Sequence, residues 1–253
     1  DHGFVGVKVG TPTATISPDL KSIYLSVPVE EGLKYSVGKI SFSGDVVLEN
    51  KGRKVLDAER LTNRMRVEKG DVFSRTKLFE DIQRLTGFYR NYGYAYANVT
   101  PNSTMNPDSQ TVDLDLVVQR GDLVYIGRID IVGNTRTRDK VIRREFRVYE
   151  GELYSEIGVE ASKARVFQLG FFENVEIKTS SGSKPNTMNV SVEVQEKSTG
   201  TFQVGAGFSS VESFIATAQI SQNNFLGNGQ SLSLSAQLSF GDFARQMATL
   251  QFY

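Results

Sequence analysis

Val124-Tyr-Ile-Gly-Arg-Ile-Asp-Ile-Val-Gly133 and Tyr35-Ser-Val-Gly-Lys-Ile-Ser-Phe-Ser-Gly44 are two copies of one pattern, and each opens a longer repeated unit. The mixed alternation of the later copy sets Ile129 and Ile131 against Ile126, Arg128, Asp130 and Val132, as in a strand of a sheet covered on one face. Gly133-Asn134 ends that strand. Thr135 or Thr137 then offers a cap for a helix running to Arg147, with Ile142 and Phe146 on one face. In the earlier copy Leu61 and Met65 stand in the equivalent places after an Asp57 cap, and the extra residues around Val46–Arg53 read as a loop insertion.

A second helix follows in each unit. Leu78, Ile82, Leu85, Tyr89 and Tyr92 step by three and four, and Val159, Ser162, Val166 and Leu169 repeat the last four of these positions at a constant offset. That spacing buries one stripe against a sheet, with Ser162 as its small member. Ser74 and Ser155 are N-caps by position, and Gly93 and Gly170 suit the left-handed residue that ends a helix. Two strands close each unit, Tyr94–Thr100 with Thr111–Gln119 and Phe172–Thr179 with Met188–Gln195, joined by turn-forming stretches. Residues 1–32 read as the end of a third copy, with Val5–Ser17 and Ile23–Val29 as its strands and Pro18-Asp19 in the turn. The expected domains are therefore 1–32, 33–119, 120–197 and 198–253. Gly32 and Gly121 each precede the next unit's strand glycine by six residues, so the units are expected to join stiffly. The chain opens as if at the end of a helix, which reads as a cut from a longer precursor.

Charge divides the chain. Residues 200–253 contain three charged side chains, Glu212, Asp242 and Arg245, against 55 of the 58 in the preceding residues. In this tail Phe202, Val204, Ala206 and Phe208 share one strand face, and Gln203, Gly205, Gly207 and Ser209 share the other. Phe214, Ala216, Ala218 and Ile220 follow, then Leu232, Leu234, Ala236, Leu238 and Phe240, then Ala248, Leu250 and Phe252. Strands of roughly 9–11 residues, apolar on one side and uncharged-polar on the other, describe a transmembrane β-barrel. Four strands do not close one, and lipid leaves an open edge without hydrogen-bond partners. No run of apolar residues is long enough for a membrane-spanning helix.

Other chemistry is excluded by what is missing. Zero net charge gives no basic field for nucleic acid. The absence of cysteine removes disulfides and thiolate sites, and one histidine, His2, supports no Ser-His-acid triad and is given no metal role. Gly205-Ala-Gly207 and Gly227-Asn-Gly229 lack the strand-to-helix setting of a phosphate loop. Glu80-Asp81 reads as a solvated helix surface, and no enzyme or cofactor is implied.

Several motifs together carry a resemblance: Gly127-Arg-Ile-Asp-Ile-Val-Gly-Asn134, Val141-Ile-Arg-Arg-Glu-Phe146, Glu150-Gly151, Gln168-Leu-Gly-Phe-Phe-Glu-Asn-Val175, Glu196-Lys-Ser-Thr-Gly200 and Asn223-Asn-Phe-Leu-Gly-Asn-Gly229. Across essentially the whole chain the sequence resembles the POTRA-plus-barrel family of outer-membrane proteins, in particular its BamA-type β-barrel assembly factors. The resemblance implies α+β POTRA repeats (β-α-α-β-β), here the penultimate and the last, followed by the first four antiparallel barrel strands. It implies unfolded outer-membrane β-barrel proteins as clients, accessory periplasmic lipoproteins as partners, outer-membrane lipid around the barrel and POTRA domains in the periplasm. An alternative within the same architecture is a protein-export channel of the two-partner secretion type.

Three sets of residues become candidates. The strand edges that would accept a client by β-augmentation are expected at Tyr94, Tyr96 and Val99 and at Phe172, Val175 and Ile177. Arg143, Arg144 and Glu150 are expected to dock an accessory lipoprotein. Phe202, Val204, Gly205, Gly207 and Phe208 lie on the first barrel strand, whose pairing with the last strand opens as a seam in the family. Gly205 and Gly207 are read either as weakening that pairing or as bend points.

Overall fold

A computed structural model describes residues 3–18, 21–50, 52–209, 213–240 and 245–253. His2, Asp19, Glu212 and Asp242 lie outside them. The chain divides into two compact units, Asp1–Asp122 and Leu123–Tyr253.

The first unit begins with an interrupted hairpin: β1 (Lys8–Val9) pairs with β4 (Val29–Glu30), and β2 (Thr13–Ile16) with β3 (Ile23–Ser26). The interruption falls at Gly10–Pro12 and Val27–Pro28, where proline cannot donate to a ladder. Next come β5 (Ser36–Gly44), β6 (Leu48–Asn50), β7 (Arg53–Leu56), α1 (Ala58–Thr62), α2 (Arg75–Arg90), β8 (Asn98–Asn106) and β9 (Thr111–Gln119). The sheet order is β5-β9-β8, with β5 parallel and β8 antiparallel to the central strand.

The second unit repeats the plan with β10 (Tyr125–Val132), α3 (Asp139–Arg143), α4 (Glu156–Gln168), β11 (Phe172–Ser181) and β12 (Thr187–Glu196), in the order β10-β12-β11. It continues into a meander of β13 (Gly200–Ser209), β14 (Ser213–Phe225), β15 (Gln230–Phe240) and β16 (Gln246–Phe252), all antiparallel neighbours. Among the described residues no helix is long and apolar enough to cross a membrane.

Each module's core lies between its helices and one face of its sheet. Leu78, Ile82, Leu85 and Tyr89 of α2 meet Val112, Leu114, Leu116 and Val118 of β9. Val159 and Val166 of α4 meet Val190, Val192 and Val194 of β12. Ser74 and Ser155 cap the two long helices, accepting from Lys77 N at 3.3 Å and Gly158 N at 3.2 Å. Asp57 caps α1 through Arg60 N at 2.9 Å.

The structure departs from the sequence reading in five places. Ile126 and Ile129 do not oppose one another: both are buried, because a β-bulge between them adds one residue to β10, as another does between Val37 and Ile40. The first helix of the later module has Arg138 rather than a threonine at its N-cap, with no side-chain cap, and it stops at Arg143. The expected loop at Val46–Arg53 is the β6–β7 hairpin, whose Leu48 and Leu56 are fully buried in the core. The strand expected from Tyr94 starts at Asn98 and runs to Asn106, its turn displaced to Pro107–Gln110. Finally, α4 has 13 residues against 16 in α2, so Ser162 aligns from the caps with Asp81, not with Leu85.

Gly133 ends β10 at φ 91°, and a Cβ there would collide with the carbonyl oxygen of Val194; Gly44 ends β5 at φ 80° against the carbonyl of Val118. Gly133→Ala is therefore expected to destabilise its module by more than about 2 kcal/mol, read as a lowered denaturant midpoint. An unchanged midpoint would show that the β10 terminus can relax.

Candidate functional site

β8 and β11 are outer strands of their sheets. Val99, Phe172 and Val175 point into the cores and Ile177 is half-buried, so these positions offer a backbone edge rather than side chains. Alternate N–H and C=O groups along such an edge can pair with an extended peptide of almost any sequence. Tyr94 and Tyr96 do not belong to it. They occupy the turn ahead of β8, where Tyr94 packs on the core with Arg120 5.3 Å over its ring and Tyr96 is 60% exposed.

Arg143 and Glu150 meet at 3.8 Å, and both brace the β10 bulge. Glu150 Oε1 accepts from Ile129 N at 2.8 Å, and Arg143 Nη2 donates to Ile129 O at 3.1 Å. Arg143 also grips Asp139 through Nε at 2.8 Å and Nη2 at 3.0 Å. These bonds hold the Asp139 carboxyl below the usual carboxylate range and push the Arg143 guanidinium up. Arg144 is not joined to them: it touches Glu145 at 3.4 Å, half-exposed, with its guanidinium against Gly229 of the β14–β15 turn.

The meander has two chemically distinct faces. Phe202, Ile220, Leu234 and Leu250 stand in one cross-strand row, and Val204, Ala218, Ala236 and Ala248 in the next. On the other face Gln203, Gln219, Ser235 and Thr249 form a row, with Gln219 Nε2 donating to Ser233 Oγ at 3.2 Å. The apolar face is openly exposed, at 67% for Phe202 and 83% for Phe208. A lipid-facing sheet with a polar inner face accounts for such a distribution. β13 is an outer strand, paired with β14 along all ten of its residues, so Gly205 and Gly207 do not interrupt its ladder.

The model of the POTRA family, described as surface antigen variable number repeat, matches residues 35–121 and again 124–197. The chain belongs to the POTRA family. Among its relatives is the outer membrane protein assembly factor BamA of Nitratidesulfovibrio vulgaris, 28% identical over 94% of this chain and 30% of that protein. The BamA of Neorickettsia risticii is 32% identical over 85% of this chain and 28% of its own length. The chain thus spans about three-tenths of the length of the curated relatives it matches. The crystal structure of BamA from Haemophilus ducreyi lacking POTRA domains 1–3 superposes with a TM-score of 0.67 at 27% identity, covering 81% of this chain and 37% of that one. The POTRA repeats and the barrel-like strands of this chain accordingly have the BamA-type fold.

Five polar residues make bonds that the sequence reading did not foresee. Asp81 is not on a solvated surface: it is 0% exposed, accepts from Arg66 N and Val67 N at 2.9 Å each, and pairs with Arg84 at 3.0 Å. Ser162 does the same work in the later POTRA module, accepting from Arg147 N at 2.8 Å. Thr137 and Asn224 are both buried and bonded to each other at 2.8 Å. Glu196, at the end of β12, gathers the amides of a distant loop. A buried polar stripe member in place of a hydrophobe, as at Asp81 and Ser162, was the available signal.

Proposed function

We propose that this chain is the part of an outer-membrane β-barrel assembly factor that spans its penultimate POTRA domain (33–119), its last (120–197) and the first four barrel strands (198–253), with the end of a further POTRA domain at 1–32. The observation that carries this reading is the direct run from β12 through three residues into a two-faced antiparallel sheet. The POTRA modules stand in the periplasm and receive unfolded barrel proteins on the free edges of β8 and β11. Backbone pairing there demands little of the client's sequence, as a factor with many clients requires. β13 is the acceptor strand of the barrel: an unpaired membrane edge has no water to satisfy it, so it takes a client strand when the seam opens.

The test is reconstitution of the intact protein into liposomes with an unfolded barrel client, following the client's heat-modifiable folded form on gels. Insertion at the rate of empty liposomes would overturn the reading.

Arg143, Arg144 and Glu150 are proposed to dock an accessory lipoprotein. Glu150→Lys is expected to weaken that partner's copurification at least about tenfold by reversing the charge the partner would meet there. Since the substitution also removes the bond to Ile129 N, Glu150→Gln is its control and should keep the module's stability. Full copurification with Glu150→Lys would remove Glu150 from the docking surface.

A further inference from the structure

The last POTRA module is joined to the barrel sheet covalently by Lys197-Ser198-Thr199 alone. This tether is pinned at both ends, with Lys197 N donating to Phe171 O at 3.0 Å and Asn223 N donating to Thr199 O at 3.0 Å. One point of attachment between two rigid bodies fixes a position but leaves their angle free.

A second point exists at the turn between β14 and β15. Arg138 N donates to Gly227 O at 3.0 Å, and Asn224 Nδ2 donates to Thr137 Oγ1 at 2.8 Å. Asn224 also orders its own turn, its Oδ1 accepting from Gly229 N at 2.8 Å. Thr137 and Asn224 are 2% and 8% exposed, so water does not compete for their bond. Gly227 has φ 73°, and a Cβ would collide with the carbonyl of Arg136.

The loop that receives this turn is itself held by the carboxylate at the tether's root. Glu196 accepts from Thr135 Oγ1 at 2.7 Å, Arg136 N at 2.9 Å and Thr137 N at 2.6 Å. Burial pushes this carboxyl up, and the bonds from Thr137, Thr135 and Arg136 outweigh it, so the group lies below the usual range. Charge-assisted bonds of this kind are about twice as strong as neutral ones.

We propose that Glu196, Thr137 and Asn224 form a latch that fixes the angle of the last POTRA module against the β14–β15 turn of the barrel sheet, with Glu196 as its positioning residue. The contacts stand on geometry alone. Their use rests on the barrel-assembly reading, in which the latch keeps the module's strand edge in a set place beneath β13.

The test uses the intact protein in lipid, with spin labels on cysteines replacing exposed Ala164 of α4 and Leu250 of β16. The unsubstituted background should give one narrow distance. Glu196→Gln and Thr137→Val should each broaden it and raise the displaced population about tenfold or more. Thr137→Val combined with Asn224→Ala should broaden it by less than the two changes summed, because the bond between these side chains is lost only once. Thr137→Val keeps side-chain size, so it decides the matter if Glu196→Gln fails to fold by heat-modifiable mobility. An unchanged narrow distance in Thr137→Val, and in any folded Glu196→Gln, would overturn the latch. Client insertion is read on the same samples: its absence in the unsubstituted protein would sink the assembly reading and leave the distances to judge the latch.

Discussion

Val166→Asp is expected to unfold the last POTRA module while leaving the other module intact. Val166 is 0% exposed in the last turn of α4, packed among the valines of β12. A carboxylate buried there without a partner neutralises itself at a cost of about 4 kcal/mol at pH 7. The lost valine packing adds about 1.5–3 kcal/mol. Domains of this size are stable by only about 5–15 kcal/mol in total. Hydrogen exchange should show β10, β11 and β12 losing protection together, with β5, β8 and β9 unchanged. Retained protection along β12 would mean that the α4 stripe is not the core-facing one.

Asp81→Ala is the second large effect, and it lies in the other module. The substitution strands the amides of Arg66 and Val67 and leaves Arg84 without its carboxylate. The expected loss is about 3–5 kcal/mol, chiefly from the two stranded amides at about 1–3 kcal/mol each, since the partly exposed Arg84 can turn to water. Ser162→Ala removes a neutral hydroxyl that accepts one amide and should cost only about 1–2 kcal/mol. Denaturant midpoints of both variants give the comparison. Equal losses would contradict the view that Asp81 carries the loop after α1.

The helical stripes were open to sequence reading because the positions on them step by three or four, and each serine cap stands four residues before its stripe begins. The barrel faces were equally plain, since strict alternation admits one assignment and the cross-strand rows follow from it. The bulge in β10 was not, because Ile126 and Ile129 are three apart, and alternation alone places such a pair on opposite faces. Only the extra residue, paired across from β12, returns both to the core. The β6–β7 hairpin was hidden by its length, since runs this short carry too little pattern to separate strand from loop.

At the candidate sites the difficulty was different. Thr135 and Thr137 have the residue type of a helix cap, yet their groups are taken by Glu196, some sixty residues away in sequence. Arg143 and Glu150 looked like a free charged surface, whereas their bonds to Ile129 make them part of the strand they border. Long-range hydrogen bonds of this sort follow from the fold and leave no local periodicity.

The most direct measurement of the edge-pairing account locks the barrel seam. In the intact protein, a cysteine on β13 and one facing it on the last barrel strand are oxidised to a disulfide, and client insertion into liposomes is followed before and after reduction. The account predicts that oxidation stops insertion while the POTRA modules stay folded, and that reduction restores it. Undiminished insertion by the fully oxidised protein would contradict a mechanism in which the β13 edge receives the client strand.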